Sequence, residues 1–474
     1  MAQLPTDCLN EIFEYLEDDM VNLHSCLLVN RLWCKVSVRI FWRDASNFRD
    51  SNFRTLIACL PNESKEILYK NGIVISIPTS KSPMFNYATF CKVLSINRVR
   101  YKFELLLKDQ QFIRHNTFIL AQELCKLYMS QIGSLKRLYY CQYTSTNFDL
   151  YPGATECLKN LSELSCNSNI SSEFFYQLSQ ICQKVLSLDL SIEKNISRGL
   201  TDLISAQKNL KYLRISNYTD GSLKHIIPSF INPNNLSKLY FYGVINYISL
   251  SFITKFINLQ ELELSFDCNE GFESFEKFQY AIFPQLQILK IQNYILEYET
   301  LIKFLEKNGK NLRELYVDDD GGYSDNSLNL SIAKFCPNIR KLSIGFKSYE
   351  LETLKIVLKN CQYLESIKIW CGGEFLSEKE ALDTFIKYSN ENTYEIILYH
   401  SYNTRSKLFP EELESLFISW TNRVPQKPLS LIIVKYCEDS LDTNPKNMKI
   451  IEKYIKLGVI KRFKVTDFDD DEFN

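Results

Sequence analysis

Asn258-Leu-Gln-Glu-Leu-Glu-Leu264 recurs, with changes, as Asn209-Leu-Lys-Tyr-Leu-Arg-Ile215 and Asn311-Leu-Arg-Glu-Leu-Tyr-Val317. Each copy has the order apolar-x-x-apolar-x-apolar. The last two apolar residues are two apart, so in a strand they share one face and the residue between them takes the other. One match means little in a chain with 45% apolar residues. Regular spacing means more. Matches begin at Leu135, Leu161, Val185, Leu210, Leu236, Leu259, Leu286, Leu312, Ile339 and Leu364, at intervals of 23 to 27 residues. A sustained period of this size marks a stacked-repeat architecture, in which each unit buries its apolar face against its neighbours. Helical stripes such as Leu301, Phe304 and Leu305 fall between the strands. The expected fold class is α/β: an all-α N-terminal bundle, then a solenoid with parallel strands on its concave face and helices on its convex face.

The period lies in the window of leucine-rich repeats, which this array resembles. Cys182, Cys336 and Cys361 each stand three residues before a motif start, and Phe256 and Phe283 hold the same phase elsewhere. Cysteine alternating with phenylalanine points to buried packing and not to a metal. It is similar to the cysteine-containing leucine-rich repeats found in F-box proteins. The later asparagine of that pattern is present at Asn169 but missing from most units, so their turns need other partners. Beyond Leu364 the period loosens, with further strands expected near Tyr394, Leu429 and Ile460. The array is placed at 135–466, irregular after about 370. The run 467–474 reads as a disordered acidic tail, and Asp318-Asp-Asp-Gly-Gly322 as a polar turn, since it lacks the alternating ligand spacing of a calcium loop.

The first 44 residues differ. Leu9, Ile12, Phe13 and Leu16 form one helical stripe, Pro5 suits a helix start, and Asp18 and Asp19 close this helix and cap the next. Leu23, Leu27, Val29, Leu32, Trp33, Val36 and Ile40 continue with helical spacing. About 40 residues bury too little surface to be stable alone, so this block needs a partner surface. Leu4-Pro5-x-Asp7-x-Leu9-x-x-Ile12-Phe13-x-x-Leu16, then Val29-Asn30-Arg31-x-Trp33 and Phe41-Trp42, resembles an F-box. Met20 and Asn30 replace the usual leucine and cysteine. The resemblance implies a Skp-type adaptor as partner and, through it, a cullin ubiquitin ligase. It implies that Leu4, Pro5, Leu9, Ile12, Phe13, Leu16, Leu23, Val29 and Trp33 lie in or under the adaptor interface. The segment 45–134 has no repeat and reads as a mainly helical linker and cap.

The strand residues flanking the inward pair would form the surface that selects a protein target. They include Tyr139, Tyr212, Arg214, Tyr240, Tyr242, Lys290, Tyr316, Lys368 and Trp370, and Tyr, Trp and Arg dominate binding hot spots. A formal net charge of -1 gives no footprint for nucleic acid or a membrane surface. Fifteen cysteines without a C-x-x-C pair read as free thiols of a reducing compartment. With no secretory n-region or long apolar run, the expectation is a cytoplasmic or nuclear protein. His24, His115, His225 and His400 lack a neighbouring nucleophile motif, and no phosphate-binding loop occurs. No enzyme activity, cofactor or metal is expected. The function expected is substrate recognition for a Skp–cullin–F-box ligase. The alternative is a repeat scaffold that binds the adaptor without leading to ubiquitination.

Overall fold

The computed structural model describes residues 4–76, 83–141, 151–193, 196–218, 226–230, 233–243, 250–266, 278–292, 298–318, 324–400, 408–423, 427–435 and 440–467. The turn at 319–323, His225 and the tail from 468 lie outside these. The chain divides into two compact units, 1–232 and 233–474.

The first unit opens with three helices: α1 Thr6–Glu14, α2 Met20–Leu27 and α3 Arg31–Phe41. Polar caps separate them. The Asp19 carboxylate accepts from Asn22 N at 3.1 Å, and Asn30 Oδ1 accepts from Leu32 N and Trp33 N at 2.9 and 3.0 Å. Each bond satisfies a helix-end N–H that has no partner within its helix. Leu9, Phe13, Leu23, Cys26, Val36 and Ile40 form the core of the block. Four more helices follow: α4 Asp50–Ala58, α5 Asn62–Lys70, α6 Ile96–Leu106 and α7 Ile113–Gln131.

One strand was not expected here. Strand β1, Val93–Ser95, pairs in parallel with β2, Arg137–Tyr140. Leu94 takes the inward position and is fully buried. Cys91-Lys-Val-Leu94-Ser-Ile96 carries the repeat motif, but it stands 44 residues before Leu135, too far to be read as one period. Strands β3 Glu163–Asn167, β4 Ser187–Ile192 and β5 Tyr212–Asn217 complete this unit, with helices α8 Ala154–Leu158, α9 Ser172–Ile181 and α10 Arg198–Ala206 between them. Leu138, Leu164, Leu188 and Leu213 stand in one parallel register, all buried.

In the second unit the strands are β6 Lys238–Gly243, β7 Glu261–Phe266, β8 Ile288–Gln292, β9 Glu314–Asp318, β10 Lys341–Ile344, β11 Ser366–Cys371, β12 Glu395–His400, β13 Leu429–Lys435 and β14 Ile460–Asp467. The register runs from Leu239 through Leu262, Leu289, Leu315, Leu342, Ile367 and Ile396 to Leu431, all buried. Full burial of each such side chain stabilises by about 1.5–3 kcal/mol. The helices are α11 Tyr298–Asn308, α12 Asn326–Phe335, α13 Leu351–Asn360, α14 Glu378–Tyr388, α15 Pro410–Thr421 and α16 Pro445–Lys456. Between β6 and β8 the described connections are short 3-10 turns. There Phe252, Phe256, Phe278 and Phe283 fill the space beneath the sheet.

The turns that lead into the strands, at the other end of the repeat from Asn169, are held by amide side chains. Asn258, Asn311, Asn338 and Asn392 each donate Nδ2 to a backbone carbonyl of the preceding unit: Asn234, Pro284, Lys310 and Gln362, at 2.8 to 3.0 Å. Deeper amides do more. Gln207 donates to the Cys182 and Leu203 carbonyls and accepts from Val185 N. Asn308 repeats that set with Ala281, Phe304 and Phe283. Asn169 pairs with Glu193 at 2.6 Å instead. The repeat-phase cysteines are buried free thiols. The Cys182 thiol donates to the Leu158 carbonyl at 3.2 Å.

Candidate functional site

The nine box positions separate into two sets. Leu9, Phe13 and Leu23 are core residues, at most 1% exposed. Leu16 and Trp33 are half-buried against them, and the Phe13 and Trp33 rings meet edge to face at 5.0 Å. Pro5, Leu4, Ile12 and Val29 are on the surface, the last three at 51%, 48% and 56%. Three more apolar side chains, Tyr15, Val21 and Leu28, are still more exposed. Sequence reasoning missed these three because they fall off the i, i+3, i+4 stripe, and that stripe marks the inward face. Apolar residues beside the stripe were the available signal. Among the described residues the block thus carries six large exposed apolar side chains, Leu4, Ile12, Tyr15, Val21, Leu28 and Val29, beside its formed core.

The repeat face differs along its length. Tyr139, Tyr212, Arg214, Tyr240, Tyr242 and Lys290 are half-exposed. Their charges are matched. Arg214 Nε donates to the Tyr212 hydroxyl at 3.0 Å, and Arg137 grips Glu163 with two bonds of 2.6 and 3.0 Å. In the second unit Lys238 pairs with Glu261, Lys290 with Glu263, and Lys341 with Glu314, at 2.7, 3.4 and 3.2 Å. Burial pushes the Asp189 carboxyl up, and the Arg214 charge opposes this. Among the described residues this face offers tyrosines and paired ions.

Three expected surface residues are not open. Tyr316 is 8% exposed, Lys368 3% and Trp370 1%. The strand face of β11 to β13 is sealed by a second apolar cluster of Trp370, Phe375, Ile397, Tyr399, Ile432 and Val434. Lys368 lies inside, its ammonium 4.0 Å from the Tyr399 ring centre. Ile397 and Ile432 now occupy outward positions that are polar or aromatic earlier in the array. These outward side chains pack as a core, so Lys368 and Trp370 are structural here.

Three of the four histidines fall among the described residues. His24 is exposed on α2 and His115 on α7. His400 is buried with Nε2 2.7 Å from Glu378 Oε1. It stands opposite Cys371 on the neighbouring strand. Burial pushes the Cys371 thiol well up, with the Glu378 and Glu380 charges adding to it, and such a thiol is inert. Among the described residues no three His, Cys, Asp or Glu side chains are grouped to hold a metal. No described helix is long and apolar enough to cross a membrane.

No protein-family model matches the chain, and no curated protein matches it. Among solved structures it is similar to the leucine-rich repeat-containing protein LegL7 from Legionella pneumophila. That match has 14% identity and a TM-score of 0.34, and it covers 64% of this chain and 96% of that one. It is also similar to a chain of the yeast Rad7 and Elc1 complex. There the identity is 13% and the TM-score 0.38, covering 92% of this chain and 87% of that one.

Proposed function

We propose that this chain is a receptor subunit of a ubiquitin ligase. The N-terminal block docks a Skp-type adaptor and through it a cullin, and the open part of the repeat face holds a protein target. The chain then works in the cytoplasm or nucleus, binds no cofactor and does no chemistry of its own. One observation carries the reading. The block buries Leu9, Phe13 and Leu23 in a core yet leaves Leu4, Ile12, Val21, Leu28 and Val29 in water. Exposed apolar residues above a formed core are the residues that a partner covers.

The test is co-purification with a Skp-type adaptor. Ile12→Asp with Val29→Asp changes only the surface, and binding should fall about a hundredfold, since two buried anchors each contribute 1–2 kcal/mol or more. Unchanged binding would sink the reading. Phe13→Ala is not equivalent, because it opens a cavity and unfolds the block. The ligase half is read by comparing diglycine-marked peptides from cells with and without the chain. If no target loses its mark, the chain is a scaffold and not a receptor.

A further inference from the structure

The sheet starts earlier than its first strand. In this unit the residue before each strand offers its carbonyl to two amides of the next. Lys92 O accepts from Lys136 N and Arg137 N, at 2.8 and 3.0 Å. Lys136 O does the same for Ser162 and Glu163, and Ser162 O for Leu186 and Ser187. Arg43 O accepts from Lys92 N and Val93 N at 2.7 and 3.1 Å. Asp44 then bridges Val93 in parallel. The last residues of the helical block therefore occupy the place of a strand before β1.

The Arg43 side chain runs the other way. Its two terminal nitrogens bind the two Glu14 oxygens at the end of α1, both at 2.6 Å, and one also reaches Glu17 at 3.1 Å. The Arg43 side chain is only a quarter exposed. A fork of this kind fixes direction as well as distance. The preceding Trp42 is buried, with its ring 5.0 Å from that of Phe48 and 4.4 Å from that of Tyr87. Open space lies on both sides. A groove of about 540 Å³ runs past Val21, Leu28, Met84 and Tyr87. A charged cleft of about 270 Å³ lies between Glu17, Phe41, Val93 and Lys136. Trp42 lines the groove, and Arg43 follows it directly in the chain.

We infer that Trp42 is the pivot and Arg43 the latch of a joint that sets the tilt of the helical block on the repeat sheet. This rests on the receptor reading, in which tilt decides where a docked ligase stands relative to a held target. Arg43 is a positioning residue, acting through Glu14 and Glu17, and touches neither partner.

Spin labels carried on non-natural residues at Glu11 and Gln183 of the full chain report the tilt as a distance distribution. The parent should give one narrow peak. Arg43→Met should broaden it about twofold as the block samples both clefts. Arg43→Lys keeps the charge, loses the fork and should fall between. Should Arg43→Met misfold, Glu14→Gln removes the opposing charge in the same shape and should broaden the peak too. A width unchanged in a folded variant overturns the latch. Adaptor co-purification should survive Arg43→Met within about twofold, and its loss would place Arg43 in the docking surface and overturn the proposal. An adaptor that fails to bind the parent removes the receptor reading but leaves the measured width intact.

Discussion

Asn308 shows how much one side chain can hold. Its amide is buried and makes three backbone bonds, two of them to the preceding unit. Asn308→Ala would remove the donor or acceptor that Phe283 N, Ala281 O and Phe304 O share with it, and stability should fall by about 3 kcal/mol, read by urea unfolding. Nothing in the sequence marks this residue, because a polar residue at the end of a helical stripe reads as solvated. Phe112 is the opposite case. It is held at φ 56°, a left-handed conformation that bulky residues avoid, and its ring is exposed. Phe112→Gly removes that cost with little loss of burial. It should stabilise by about 1 kcal/mol, seen as a higher thermal midpoint. Glu14 carries the latch's pH dependence. The Arg43 guanidinium bonded to it holds its carboxyl below the ordinary value of 4.5. Its folded pKa is depressed, so the contribution is fully present above that value and is lost as pH falls through the folded pKa. The difference in unfolding between Arg43→Met and the parent should shrink on acidification below about pH 4.5.

At the scale of elements, apolar spacing located ten strands at the regular period, and the looser spacing after Leu364 placed three more near Tyr394, Leu429 and Ile460, where β12, β13 and β14 begin. Leu138 to Leu213 and Leu239 to Leu342 stand in the expected phase because the leucines that set the period are the ones the sheet buries. Strand β1 escaped for the reason that its motif stands alone. The outer face was harder to read. Alternation says which side a residue takes and not what covers that side, so Trp370 and Lys368 read as surface. Trp370→Ala should therefore cost about 3–5 kcal/mol of stability, with circular dichroism reporting the loss. If it leaves the unfolding curve unchanged, the sealed face of β11 to β13 is wrong. On the helical block the apolar spacing picked core residues at Leu9, Phe13 and Leu23, and at Ile12 an exposed side chain.

At the scale of the molecule, the cysteines decide how the chain meets oxidants. Cys157 and Cys361 are pushed up to about 12 by burial, and Cys182 and Cys336 still further. Thiolate is the reactive form. Native-state alkylation should therefore label the exposed Cys8 quickly and the repeat-phase thiols only after denaturation, as peptide mass spectrometry would show. Fast labelling of Cys336 or Cys361 would contradict the buried phase. The two compact units add a further point. Each has its own run of registered strands, and repeats contribute to stability mainly through their neighbours.

The asparagine that opens the quoted segments has a use in the history of such a chain. Asn311 brings a donor to the unit before it, and the Lys310 carbonyl beside it receives the next unit's donor, Asn338. A gene duplication that copies one such stretch therefore delivers a piece already fitted at both ends. The newcomer brings both of these hydrogen bonds with it. Lengthening the array is an easy step for evolution, and for anyone wishing to build a longer one.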